Sequence, residues 1–94
     1  MIAESTPFDH EHRAHQTLDG LALRESVTII AVRAPEDRLE WASWLEEIGF
    51  VAGESVTLLA RAAPGGDPLM VRVGASTFAL QRAEAACIVV RPAR

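Results

Sequence analysis

Three imidazoles and two carboxylates fall within the seven residues Asp9-His10-Glu11-His12-Arg13-Ala14-His15. Imidazole nitrogen and carboxylate oxygen suit borderline divalent metals such as zinc or ferrous iron, so His10, His12 and His15 are candidate ligands. His12 and His15 would share a face if the segment turned helical. The competing reading is an ordinary polar tail, because a flexible segment must lose entropy to close around an ion. The other groups with chemical potential are sparse. Cys87 has no histidine near it in sequence, and a small apolar thiol in an alternating apolar stretch reads as packing. Gly65-Gly66-Asp67-Pro68 has the glycines of a phosphate-binding loop but neither its lysine nor its following helix, so it reads as a turn. No nucleophile, base and orienting group fall into a catalytic pattern. The chain therefore reads as a binding protein rather than an enzyme, with no required cofactor.

The elements that must position these residues begin after a tail. Residues 1–16 carry charges and histidines with no sustained period and read as a mobile N-terminal tail, leaving 17–94 as one domain. Thr17 or Asp19 can start a short helical turn that buries Leu18, Leu21 and Leu23. Val27-Thr28-Ile29-Ile30-Ala31-Val32 is β-branched and predicts the first strand. Pro35, Glu36 and Asp37 open a helix to about Ile48, since proline is tolerated in the first turn and carboxylates favour the positive end of the dipole. Trp41, Trp44, Leu45 and Ile48 share its apolar face. Gly49 can adopt the left-handed conformation that ends the helix, and Phe50 then packs back on Leu45. The period next switches to two over residues 55–61. Leu69 to Val73 and Ser76 to Leu80 follow as strands joined by the tight turn Gly74-Ala75, and the last strand is Cys87 to Val90 after a helical turn at Arg82 to Ala85. About five strands with one helix inserted between the first and second predict a mainly β fold, a small SH3-like barrel.

Composition narrows the function class. Ninety-four residues support a single core, and 49% hydrophobic with 23% charged residues is ordinary for a globular protein. The net charge is −4, and all nine cations are arginine, so the overall field opposes a nucleic-acid partner. The N-terminal stretch lacks the apolar core of a signal peptide, and no apolar run is long enough to span a bilayer. A lone cysteine fits a reducing cytoplasm. One surface stands out against this background. Phe50-Val51-Ala52 places three apolar residues at the helix exit. Phe50 has an explanation as the partner of the helix cap, whereas Val51 and Ala52 do not. Rimmed by Glu46 and Glu47, they have the anatomy of a weak protein docking site.

Several segments, in order, carry a resemblance: Leu45 with Gly49 at the helix end and Gly53 beyond it, the Gly66-Asp67-Pro68 turn, Ala79-Leu80, and Glu84-Ala85. Over about residues 17–91 the chain resembles the FeoA family, the small cytoplasmic accessory proteins of bacterial ferrous-iron uptake. It departs from the family pattern at Arg24, where a glycine often precedes the first strand, at Ala52 in place of a common proline, and at Gln81 in place of an arginine. The resemblance implies an SH3-like barrel in the cytoplasm, held at the inner membrane through its partner. That partner is the FeoB permease with its cytosolic GTPase domain. Leu45, Gly49, Phe50, Val51 and Gly53 at the helix exit are the candidate partner-binding residues, and Gly66, Asp67 and Pro68 form a structural turn. Two functions of different class follow: an interaction module that docks on FeoB and modulates it, or a metal-responsive binding protein. The second would hold ferrous iron or zinc through the tail, or act as a free-standing version of the SH3-like domain of iron-dependent repressors. Capture of proline-rich peptides is disfavoured, because tyrosine is absent and both tryptophans lie on the helix. Oligomeric state stays open.

Overall fold

The computed structural model describes residues 16–62 and 65–93. The tail and its histidines lie, but for Gln16, outside the described residues. In chain order the elements are β1 (Gln16–Thr17), β2 (Ser26–Val32), α1 (Glu40–Glu47), β3 (Ser55–Arg61), β4 (Leu69–Val73), β5 (Ser76–Leu80), α2 (Arg82–Ala85) and β6 (Ile88–Pro92). All pairings are antiparallel, in the order β1-β6-β2-β3-β4-β5. This is the mainly β, SH3-like architecture expected, with the helix between the strands that hold Val27 and Val56. Among the described residues it has six strands rather than five, because Gln16 and Thr17 pair as a strand against Val90 and Val89. Two residues are too few to show a period of two, so nothing in the sequence marks them as a strand.

The sheet bends because β2 and β3 each carry a register shift, between Ile29 and Ala31 and between Leu58 and Ala60. An extra residue on one strand kinks it and increases its twist, which curls the sheet over its own inner face. That face is the core. Val27 and Ile29 of β2, Val56 and Leu58 of β3, Leu69 and Val71 of β4, and Ile88 and Val90 of β6 are all nearly or fully buried. The alternation of these residues is the period-two pattern read from the sequence. Leu18, Leu45, Phe50 and Leu80 close the ends, and no polar or charged residue is buried among the described residues.

Several boundaries and burials depart from expectation. The helical segment is split: a 3-10 turn over Glu36–Arg38 precedes α1, and Pro35 is extended, at ψ 156°, just before that turn. The entry is closed by the tighter i→i+3 bond from Arg38 N–H to the Pro35 carbonyl, at 2.9 Å. Of the three leucines of the first turn, Leu18 and Leu21 are buried, but Leu23 is 58% exposed at the tip of the turn into β2. Cys87 sits one residue before β6, not within it. There its carbonyl accepts from Arg33 N–H at 2.7 Å, and its thiol donates to the Ala83 carbonyl at 3.5 Å.

Burial raises the Cys87 thiol pKa first, and the carboxylates of Glu84 and Asp19 add to the effect. The thiolate is the reactive form, so a thiol-disulfide reagent at neutral pH should label Cys87 only when the chain is unfolded in denaturant. Fast labelling of the native protein would contradict the burial. The folded state holds this proton more tightly than the unfolded one. Stability from this group is therefore full below the ordinary thiol pKa and declines as alkaline pH is raised above it.

Arg24 is the one non-glycine residue with positive φ among those described, at +69°, and its N–H donates to the Leu58 carbonyl at 2.6 Å. A side chain in that region costs roughly 1–2 kcal/mol, and glycine gives back about 0.5–1 kcal/mol through unfolded-state entropy. Arg24→Gly should therefore raise the unfolding free energy by about 0.5–1 kcal/mol in a urea titration. A loss of stability would show that the Arg24 side chain contributes more than its backbone strain removes.

Candidate functional site

The helix exit is built by two hydrogen bonds. Phe50 N–H donates to the Leu45 carbonyl at 3.0 Å and Gly49 N–H to the Glu46 carbonyl at 3.1 Å. This is the paired 6→1 and 5→2 closure of a Schellman motif, and Gly49 supplies its positive φ of +126°. Leu45 and Phe50 are both fully buried in the core, and the Phe50 ring meets Phe78 with centroids 5.6 Å apart. The sequence reading groups these two with the partner surface. Their burial makes them the anchors of the corner, beyond the reach of a partner in this conformation.

What the anchors hold out is Val51. Its N–H donates to the Gly49 carbonyl at 3.0 Å and its carbonyl accepts from Glu54 at 3.1 Å, so both of its backbone groups are used within the turn. The turn is tied to the sheet in turn: Gly53 N–H donates to the Ile29 carbonyl at 2.8 Å, and Ile29 N–H to the Glu54 carbonyl at 2.9 Å. Gly53 makes this with φ +93°. Val51 is thus 38% exposed on a rigid support, with Ala52 exposed beside it.

Trp44 adds a residue expected on the apolar face of the helix. It is 40% exposed, while Trp41 and Ile48 pack partly against the core and Leu45 is fully inside. The reason is angular. At 100° per residue, Leu45 lies on the inner side of the apolar stripe and Trp44 on its outer shoulder, and an eight-residue helix on a small sheet buries only a narrow stripe. The signal available in sequence was the width of the apolar face. Exposed Glu40 and Glu47 neighbour Trp44 at i−4 and i+3, Glu46 is exposed elsewhere on the helix, and Arg38 lies 6.0 Å from the Trp41 ring centroid. Exposed apolar side chains on an acidic helix and its turn suit contact with a protein rather than with a small substrate. Among the described residues no enclosed pocket opens, and no three metal-ligating side chains converge.

The Gly66-Asp67-Pro68 turn serves a different end of the fold. The Asp67 carboxylate accepts from Arg82 N–H at 2.9 Å, which satisfies a free amide at the start of α2. Gln81 N–H donates to Glu84 at 2.8 Å. Gly66 has φ +80° and stands between Arg61 and Arg82, whose side-chain atoms would lie 3.6–3.9 Å from an added Cβ. Arg61 was not apparent from sequence: its guanidinium donates to the carbonyls of Asp19 and Leu21, at 2.8 and 2.9 Å, and so ties the N-terminal turn to β3. The contact spans about forty positions, so no local pattern points to it. His10, His12 and His15 lie outside the described residues.

Comparisons with known proteins agree with this architecture. No curated protein is significantly similar to the chain. FeoA of Stenotrophomonas maltophilia, solved in complex with zinc, is 40% identical over 80% of this chain and 88% of its own, with a TM-score of 0.73. A FeoA-like protein of Clostridium acetobutylicum is 24% identical over 84% of this chain and 87% of its own, at 0.72. IdeR of T. acidophilum shares the fold alone, at 18% identity and 0.65, over 84% of this chain and 34% of its own. The FeoA domain model matches residues 16–92, all of the sheet and both helices, and the chain therefore belongs to the FeoA family.

Proposed function

We propose that this chain is a non-catalytic accessory protein of ferrous-iron uptake that docks on the cytosolic GTPase domain of a FeoB-like permease and modulates it from the cytoplasm. The observation that carries the reading is the helix-exit corner: Val51 is held out by a turn that uses both of its own backbone groups, and Trp44 is exposed on the acidic helix that leads into it. Ordering such a surface on binding costs little conformational entropy, which favours a partner site over a merely tolerated exposed residue. Family membership supports the process, and the Stenotrophomonas relative is described as a candidate activating factor for ferrous-iron transport. No helix among the described residues is long and apolar enough to cross a membrane, so contact with the bilayer would run through the permease.

The test is an amide-resolved NMR titration with the purified GTPase domain, with and without guanine nucleotide. Shifts confined to residues 44–53 are expected. Val51→Asp leaves the fold intact, because Val51 is not in the core, and should weaken binding about tenfold, a cost near 1.4 kcal/mol. Equal affinity of the folded variant would remove the corner from the interface.

A second reading rests on the zinc in the crystal of the Stenotrophomonas relative. In this chain the histidine-bearing segment would be the metal-binding part, with zinc or ferrous iron as the ion. Calorimetric titration of either metal into the full chain and into a His10, His12 and His15 triple alanine variant decides it. Uptake by the first and not by the second is expected if the segment binds, and equal uptake would dispose of that site.

A further inference from the structure

Among the described residues the sheet ends on β5, which pairs only with β4, and its five residues Ser76-Thr77-Phe78-Ala79-Leu80 include no charge, no proline and no bulge. Edge strands of soluble proteins are ordinarily blunted by one of these devices, since an open row of N–H and C=O groups templates further pairing. The opposite edge is β1, two residues among those described.

The register states which groups are open. The two-residue turn Gly74-Ala75 has Gly74 at φ +59°, the conformation of a II′ hairpin, so the closing pair Val73 and Ser76 is hydrogen-bonded. Bonding then alternates, and Phe78 and Leu80 face β4 with their backbone groups. Thr77 and Ala79 direct theirs outward. Their side chains are exposed on the outer surface, whereas Phe78 is half-buried against Phe50 and Leu80 is buried.

We propose that β5 pairs with β5 of a second copy of this chain, antiparallel about a two-fold axis through Phe78. In that register Thr77 meets Ala79 of the other copy, twice over, through all four outward backbone groups. Phe78 lies directly across from its counterpart at the closer, non-hydrogen-bonded position, where an aromatic pair is favourable. One strand satisfies both sides of the interface, which is the self-complementarity that a two-fold contact requires. The choice of occupant follows from charge as well. Each copy carries a net charge of −4, yet the pairing brings no like charges together, because β5 is neutral along its whole length. Five residues a side is a small contact, so the dimer is weak and forms at high local concentration.

Sedimentation of the full chain across a concentration series to the millimolar range tests this. The weight-average mass should climb from 10.2 kDa toward twice that value, with the Thr77 and Ala79 amides shifting in step by NMR. Thr77→Lys sets a cation on the edge of each copy, and Ala79→Pro removes an outward donor that the β4 pairing does not use. Both variants should stay monomeric at every concentration, with thermal midpoints close to that of the parent. A parent chain that stays at monomer mass overturns the proposal. So does a dimer that persists in either folded variant, which would move the contact to another surface or give the edge to the chain's own N-terminal segment. Val51→Asp should dimerise like the parent, separating this contact from the helix-exit corner.

Discussion

The chain has to leave a helix that lies over the sheet and re-enter the sheet as β3 within a few residues, and the closure at Gly49 is what permits this. Two carbonyls of the last helical turn would otherwise be left without partners, and both are satisfied by the amides of Gly49 and Phe50. The same reversal drives the Phe50 ring inward beside Leu45. A fully buried phenylalanine is worth roughly 1.5–3 kcal/mol in transfer from water, so the core and the turn stabilise one another. With Phe50 inside, Val51 has nowhere to go but outward.

The rest of the molecule is arranged around that reversal. The bonds from Gly53 and Glu54 to Ile29 fix the turn against β2, and the bulge just beyond Ile29 lets β2 bend while keeping that contact. At the other end of the sheet the corresponding work is done by arginine and aspartate. Arg61 spans from β3 to the carbonyls of Asp19 and Leu21, and Asp67 joins the turn before β4 to the start of α2. These polar contacts sit outside a core in which, among the described residues, no polar residue is buried, so none of them carries the desolvation cost of an interior charge.

This separation of tasks bears on function. The helix-exit end offers exposed apolar side chains on an acidic helix and its turn, the turn end is stitched by polar contacts, and the five-residue edge of β5 is neutral. Among the described residues no pocket opens, and the helix-exit corner and the β5 edge are two surfaces left uncommitted by the contacts between them.

The period-two runs, the glycine after Ile48 and the hairpin glycine at position 74 were legible in the sequence because each is a local rule: side-chain alternation, a helix end that demands positive φ, and a two-residue turn. The resemblance to the FeoA family was carried by those same turn and cap residues. The histidine segment remained a matter of composition, since it lies outside the described residues. Other features were decided only by tertiary structure. Whether Trp44 is core or surface depends on how wide a stripe of the helix the sheet can cover. Gln16 and Thr17 form a strand only because β6 offers an edge, and Arg61 matters only because residues forty positions away lie within its reach. Cys87 falls before β6 rather than in it because its amide closes the turn after α2 on the Glu84 carbonyl. Local chemistry determined the elements and their ends. Burial and long-range pairing depend on what the folded chain places opposite each residue, and no residue carries that information by itself.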